Sequence, residues 1–305
     1  MRTETDTDRL TYEIRPQDAG REVQYLLRER LKLAAGMVKV LKYNDGILLD
    51  GIPVRGTARV RPGQQVTALL NCRSAVPEIV PEPYGLEILY EDDAFLAVNK
   101  PADTVMHPTC RHQSGTLANY LLWHWQQKGI YTDIHLAGRL DKDTTGIVIA
   151  ARNGYVQEAL RRQSETGKLK KYYLAAVCRT PIPEAGVIDA PILRDRDSII
   201  KRKIDAEGAR AVTRYRTVAV REDHAVAEFL LETGRTHQIR LHCSYAGFPI
   251  LGDSLYGTEE TGGKAPHQLL HAYKTELIHP ITGKMLVFKV PPPREWGRYA
   301  PHTLP

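Results

Sequence analysis

Three short stretches of the 305-residue chain carry side chains whose types and spacing suit chemistry. The first is Arg139-Leu140-Asp141-Lys142-Asp143-Thr144-Thr145-Gly146, which runs straight into the apolar residues 147–151. An acidic, threonine-rich turn feeding a buried strand holds a carboxylate at a sheet edge, where it can serve as nucleophile or base. Taken alone, the same turn fits a structural use equally well, with Asp141 or Asp143 capping backbone amides. The second stretch is Lys170-Lys171-Tyr172-Tyr173-Leu174-Ala175-Ala176-Val177. Strand alternation puts Tyr173 and Ala175 on one face and Tyr172 and Leu174 on the other, and for an isolated strand tyrosine core packing outweighs catalysis. The third, residues 231–242, gathers Arg235, His237, Gln238, Arg240 and His242 around a turn at Gly234. So many donors would burden a purely structural strand, because a buried unpaired polar group costs about 1–3 kcal/mol. They call for anionic or polar partners.

The elements that must position these groups fall into two units. Residues 21–33 set Val23, Leu26, Leu27, Leu31 and Leu33 near helical spacing with basic residues outward, which predicts an amphipathic helix. A shorter helix is expected over 34–42, then a hairpin over 46–54 turning on Asp50-Gly51, a pair that tolerates positive φ, and a turn and strand over 61–68. This order resembles the small RNA-binding module first described in ribosomal protein S-four. The resemblance implies RNA contacts from Arg28, Arg30, Lys32, Lys39 and Lys42, against the plainer reading of a solvated helix face. The module spans 10–72. Three prolines within 73–86 deny backbone donors to a helix or central strand and mark a linker. From 87 to 298 strands are expected at 88–90, 94–99, 146–151, 172–177, 225–231 and 285–290, with helices over 116–127 and 153–166. Many strands with irregularly placed helices favour an α+β fold over a doubly wound sheet.

Composition sets outer limits. With 42% hydrophobic and 26% charged residues the chain reads as folded and soluble, with room for about two domains. Its apolar runs fall far short of the ~20 residues of a membrane span, and the polar N-terminus lacks a secretory signal, which makes the cytoplasm the default location. Cys72, Cys110, Cys178 and Cys243 form no Cys-x-x-Cys pair, so reduced thiols are expected rather than a zinc ribbon or redox dithiol. His107, Cys110 and His112 have a spacing that could suit zinc, but no second ligand pair follows, and no metal is expected. The net charge of +6 suits a polyanionic partner. Lys201, Arg202 and Lys203, with Arg194 and Arg196 nearby, are candidates to meet phosphates.

Together the three chemical stretches resemble the RluA-type pseudouridine synthases, and the resemblance runs from about residue 10 to 298. That family carries its nucleophile in a His-Arg-Leu-Asp-x-x-Thr-Ser-Gly segment, matched here by Arg139-Leu140-Asp141 and Thr144-Thr145-Gly146. Lys171-Tyr172-Tyr173, residues 208–215, residues 234–240, residues 252–257 and His279-Pro280 agree as well. The chain departs from the pattern at Gly138, where the family has His, and at Thr145, where it has Ser. The resemblance implies a catalytic domain with a mixed, mainly antiparallel sheet and an isomerase acting on RNA. Asp141 would be the nucleophile, Arg240 its ionic partner, and Tyr173 the residue that stacks on the detached uracil. Arg139 would fill the space left by the turned-out base, and Arg235, His237, Gln238 and Lys171 would contact substrate. No cofactor, metal, membrane or obligate protein partner is implied. The attached S-four-like module points to large-subunit ribosomal RNA, with transfer RNA as the alternative. Two rivals are a glycoside or nucleoside hydrolase using Asp141 with Asp143, disfavoured because such carboxylates must flank the scissile bond, and a non-catalytic RNA-binding protein.

Overall fold

A computed structural model describes residues 8–70, 79–109, 112–301, 303 and 305. Cys72, Cys110 and residues 73–78 of the expected linker lie outside the described residues. The chain begins with β1 (Arg9–Glu13), α1 (Val23–Glu29), α2 (Ala35–Tyr43), β2 (Ile47–Leu49), β3 (Ile52–Pro53) and β4 (Gln65–Leu69), whose four strands pair in the order β1-β4-β2-β3. Val23, Leu26 and Leu27 of α1 and Val38 and Leu41 of α2 close over this sheet. Helix α1 ends earlier than hydrophobic spacing alone suggests. Lys32 adopts a left-handed backbone, so Leu33 reaches the same core from beyond the helix rather than along it. The hairpin turns where expected, with Asp50 at φ 51° and Gly51 at φ 81°.

The larger unit holds β5 (Glu87–Glu91), β6 (Phe95–Lys100), α3 (Leu117–Gln127), β7 (His135–Leu136), β8 (Thr145–Ala151), α4 (Gly154–Glu165), β9 (Lys170–Val177) and β10 (Ala185–Asp189). There follow β11 (Ile192–Arg194), β12 (Arg202–Ile204), β13 (Val212–Val220), β14 (Ala225–Leu231), α5 (Gln238–Tyr245), α6 (Glu259–Gly262), β15 (Leu270–Ile278) and β16 (Met285–Lys289). The main sheet runs β10-β13-β14-β9-β15-β8-β6-β5, with β16 also on β15 and β7 also on β8, while β11 and β12 form a separate hairpin. Of these pairings β8 with β15 is parallel and the rest are antiparallel, giving the expected mixed α+β sheet. The helices expected over 116–127 and 153–166 are α3 and α4, with Thr116 and Asn153 accepting amides as their N-caps.

Both faces of the sheet are covered, which is why β6 and β8 read as unbroken apolar runs. Leu96, Val98, Val148 and Ala150 pack against α3, and their alternates Phe95, Ala97, Ile147 and Ile149 against α4. Farther along, Tyr173, Ala175 and Val177 face Ile239 and Cys243 of α5, whereas Leu174 and Ala176 face Tyr273 and Trp296. The alternation read from β9 is therefore the observed one. Tyr155 of α4 joins the N-terminal core as well as that of the larger unit, and Arg162 donates to the Lys32 carbonyl across the boundary (3.3 Å).

Candidate active site

The turn carrying Asp141 leads into β8 at the parallel β8–β15 junction. Gly146 makes that junction possible: its φ is +109°, and a Cβ there would stand 2.3 Å from the Ala272 carbonyl oxygen. One residue earlier, Thr145 bonds across to His271 Nδ1 at 2.7 Å. Beneath the turn, the buried Lys100 ammonium donates to the carbonyls of Pro101 (2.8 Å), Thr104 (2.9 Å) and Lys142 (2.7 Å). Burial pulls Lys100 down to about 7, against the pull of Asp143, Asp141 and Asp103. A buried cation is thus tied to the backbone one residue from Asp141.

Helix α5 brings Arg240 to the same place from 99 residues away in sequence. Its Nη1 donates to Asp141 Oδ2 at 3.1 Å, while Nε and Nη2 grip both oxygens of Asp253 at 2.7 and 2.8 Å. Burial opposes charge on Arg240, yet Asp253 and Asp141 hold its pKa above the ordinary arginine value. Asp253 is 1% exposed; burial works against its ionisation too, but Arg240 and the amides of Tyr256 and Leu255 keep it below the usual carboxylate range. A two-point Arg–carboxylate pair fixes direction as well as charge, so the remaining Nη1 is aimed at Asp141.

Tyr173 lies in the core between β14 and α5, and its hydroxyl is pushed above the ordinary tyrosine range first by burial and then by the charge of Asp141. It is therefore both a core residue and a neighbour of the carboxylate, so the two readings of its position are compatible. Arg139 is exposed and donates to Thr236 Oγ1 at 3.2 Å. Asp143 accepts the Asp103 amide at 3.3 Å.

Several expected substrate contacts lie elsewhere. Gln238 is buried and bonds Thr233, the Arg235 amide, the Val212 carbonyl and Thr213, which uses its amide group within the fold. Lys171 is half-buried with Nζ on the Ala137 carbonyl at 2.9 Å, and desolvation lowers it to about 8. The Arg235 side chain bonds the Arg210 carbonyl at 3.0 Å. His237 turns toward Asp141, with Nε2 3.9 Å from Oδ1. In the N-terminal unit Arg28, Lys32, Lys39 and Lys42 are exposed, while Arg30 is tied to buried Asp18 at 2.7 Å. In the β11–β12 hairpin Lys201 is exposed, Arg202 half-buried, and Lys203 pairs with Asp205 at 2.9 Å. Sequence reasoning missed Asp253, Tyr256 and Lys100 as parts of the site. The first two stood in the matched stretch 252–257 and were visible only as motif, since nothing local signals a partner for Arg240.

A ten-stranded mixed sheet holding an Asp–Arg–Asp chain beside a buried tyrosine defines the class, and comparison with known proteins gives the family. Residues 94–245 match the model of the RNA pseudouridylate synthase family. The chain is 38% identical over 221 residues to the uncharacterized RNA pseudouridine synthase YjbO of Bacillus subtilis, covering 72% of this chain and 77% of that protein. It is 35% identical over 275 residues to the ribosomal large subunit pseudouridine synthase D of Pseudomonas aeruginosa, covering 86% and 84%. The fold resembles that of human RNA pseudouridylate synthase domain containing 4, with a TM-score of 0.57 at 24% identity over 70% of this chain and 92% of that one. This chain belongs to the RluA-type pseudouridine synthases, and it is an isomerase acting on RNA.

Proposed function

We propose that the enzyme isomerises a uridine of large-subunit ribosomal RNA, in the cytoplasm, with Asp141 as the essential carboxylate. The bond from ribose C1′ to uracil N1 breaks, the base turns, C1′ bonds C5, and the C5 proton is exchanged for one on N1. Nothing is oxidised or reduced overall, so the reaction requires no redox cofactor. Asp141 either adds to C1′ or abstracts the C2′ proton, and both need an ionised, aimed carboxylate. The observation that carries the reading is the Arg240–Asp141 contact at 3.1 Å, because it aims the carboxylate and Arg240 is itself fixed by Asp253. Tyr173 stacks on the detached uracil and relays the C5 proton. Arg139 fills the stack when the nucleotide turns out, a step that costs a few kcal/mol.

The S-four-like N-terminal unit would grip the RNA through Arg28, Lys32, Lys39 and Lys42, with Arg30 steadying the helix end. A groove of about 640 Å³ between α1 and α2, where Arg28, Lys39 and Lys42 outnumber Glu22 and Glu29, supports this role. Lys201, Arg202 and Lys203 would meet phosphates on the catalytic side. Likeness to the ribosomal large subunit pseudouridine synthase D of Pseudomonas aeruginosa supports the choice of RNA. The test uses unmodified large-subunit ribosomal RNA tritiated at uridine C5, with no cofactor added. Release of tritium to water by the native enzyme, and none by Asp141→Asn, is expected. Tight binding without release would overturn the reading, and release from transfer RNA alone would move the substrate.

A further inference from the structure

We infer that His237, oriented by Tyr256, is a positioning residue that fixes the second oxygen of Asp141. The inference rests on the reading of Asp141 as the reacting carboxylate. Arg240 engages Oδ2 only, which leaves Oδ1 free to swing about the Cβ–Cγ bond. His237 Nε2 faces that oxygen at 3.9 Å. On the other side of the ring, Nδ1 lies 2.9 Å from the Tyr256 hydroxyl, which itself accepts the Arg202 amide at 2.8 Å.

In the proposed tautomer the Tyr256 hydroxyl, which accepts the Arg202 amide, gives its one proton to Nδ1. The proton of the neutral ring then sits on Nε2, pointing at Asp141 Oδ1. Burial keeps His237 below the ordinary histidine value; Asp141 and Asp253 pull it up, and Arg240 and Arg202 push it down. The group offered to Oδ1 at neutral pH is therefore an uncharged N–H donor. At 3.9 Å it falls short of a hydrogen bond, and catalytic bonds of this kind tighten when substrate is bound. With both oxygens held, the carboxylate is aimed before reaction, and a misplacement of about 1 Å at such a group costs on the order of 100-fold in rate.

The backbone supplies an independent argument. His237 precedes α5 with φ 59° and ψ 19°, a left-handed conformation that glycine adopts freely and other residues adopt at a cost. Helix initiation would be served better by glycine, so the imidazole is held here against the local backbone preference.

That same feature provides the test. His237→Gly removes the ring while relaxing the backbone, and the Tm measured alongside separates a loss of activity from a loss of fold. Single-turnover and steady-state assays on the tritiated RNA should give kcat lower by about 10- to 100-fold, KM within about threefold, an unchanged or higher Tm, and partial recovery with added free imidazole. Tyr256→Phe should lower kcat in the same way, and the double variant should be no worse than His237→Gly alone, since both remove one device. Native kcat in His237→Gly, a loss confined to KM, absence of imidazole rescue, or full additivity in the double variant would each overturn the inference. Asp141→Asn run alongside separates the two claims: turnover there sinks the carboxylate reading, whereas no turnover there with native kcat in His237→Gly sinks only this one.

Discussion

Asp253 clasps Arg240 through two parallel hydrogen bonds of 2.7 and 2.8 Å, and the third arm of the same guanidinium reaches Asp141 at 3.1 Å. The geometry of the Asp141 carboxylate therefore depends on a residue 112 positions away that does not touch it. Removing the charge of Asp253 leaves a buried arginine half-compensated, and breaking a buried pair from one side costs about 3–5 kcal/mol. Asp253→Asn should lower unfolding free energy in urea by about 3 kcal/mol and cut turnover by more than the stability loss accounts for at a temperature where the variant is folded.

Tyr173 separates packing from chemistry. Its ring lies among Ala175, Phe229 and Ile239, and phenylalanine preserves that contact while deleting the hydroxyl. Tyr173→Phe should melt within a few degrees of the native protein yet lose about 100-fold in tritium release, the usual scale for a lost proton-transfer group. Native turnover in this variant would remove the tyrosine from the proton path.

Gly138 marks where this chain leaves the pattern of its relatives. Its φ is +115°, and a Cβ would fall 2.4 Å from Lys171 Nζ, which is bonded to the neighbouring Ala137 carbonyl. Lysine thus occupies the space a side chain at 138 would need. Installing the family histidine, Gly138→His, should strain the backbone and push Lys171 off Ala137, destabilising the fold by about 1–3 kcal/mol and lowering kcat through the displaced turn. Thermal melts and single-turnover rates read the two effects separately.

The sequence exposed most strands whose faces are both apolar. The runs at 94–99 and 146–151 became β6 and β8 because each alternate set meets a helix. It hid elements whose buried residues are polar. Central strand β15 buries His271 and Thr275, and α5 buries Gln238, Arg240 and His242. Neither shows a clean apolar period, because several of the buried polar groups are satisfied by partners distant in sequence, as His242 is by Thr213 and Ala190 and His271 by Thr145 and Val290. For the same reason Arg240 was legible as a candidate, while Asp253 became legible only when the fold joined them.

His271 makes the central junction sensitive to acid. Its Nδ1 accepts from Thr145 at 2.7 Å and its Nε2 donates to the Val290 carbonyl at 3.1 Å, an arrangement that needs the neutral ring. Burial lowers its pKa from 6.5 to about 4. As pH falls, the unfolded chain takes up this proton near 6.5, whereas the folded chain resists until about 4. Between those values the unfolded state binds more protons, so stability is fully present above 6.5 and declines as pH drops toward 4. The loss from this one site is about 3 kcal/mol, and burial lowers His135 and His242 in the same direction. Urea titrations between pH 7.5 and 4 should show the decline, and His271→Gln should flatten it while starting from a lower stability at neutral pH. An unchanged slope in that variant would assign the acid sensitivity to the other buried histidines.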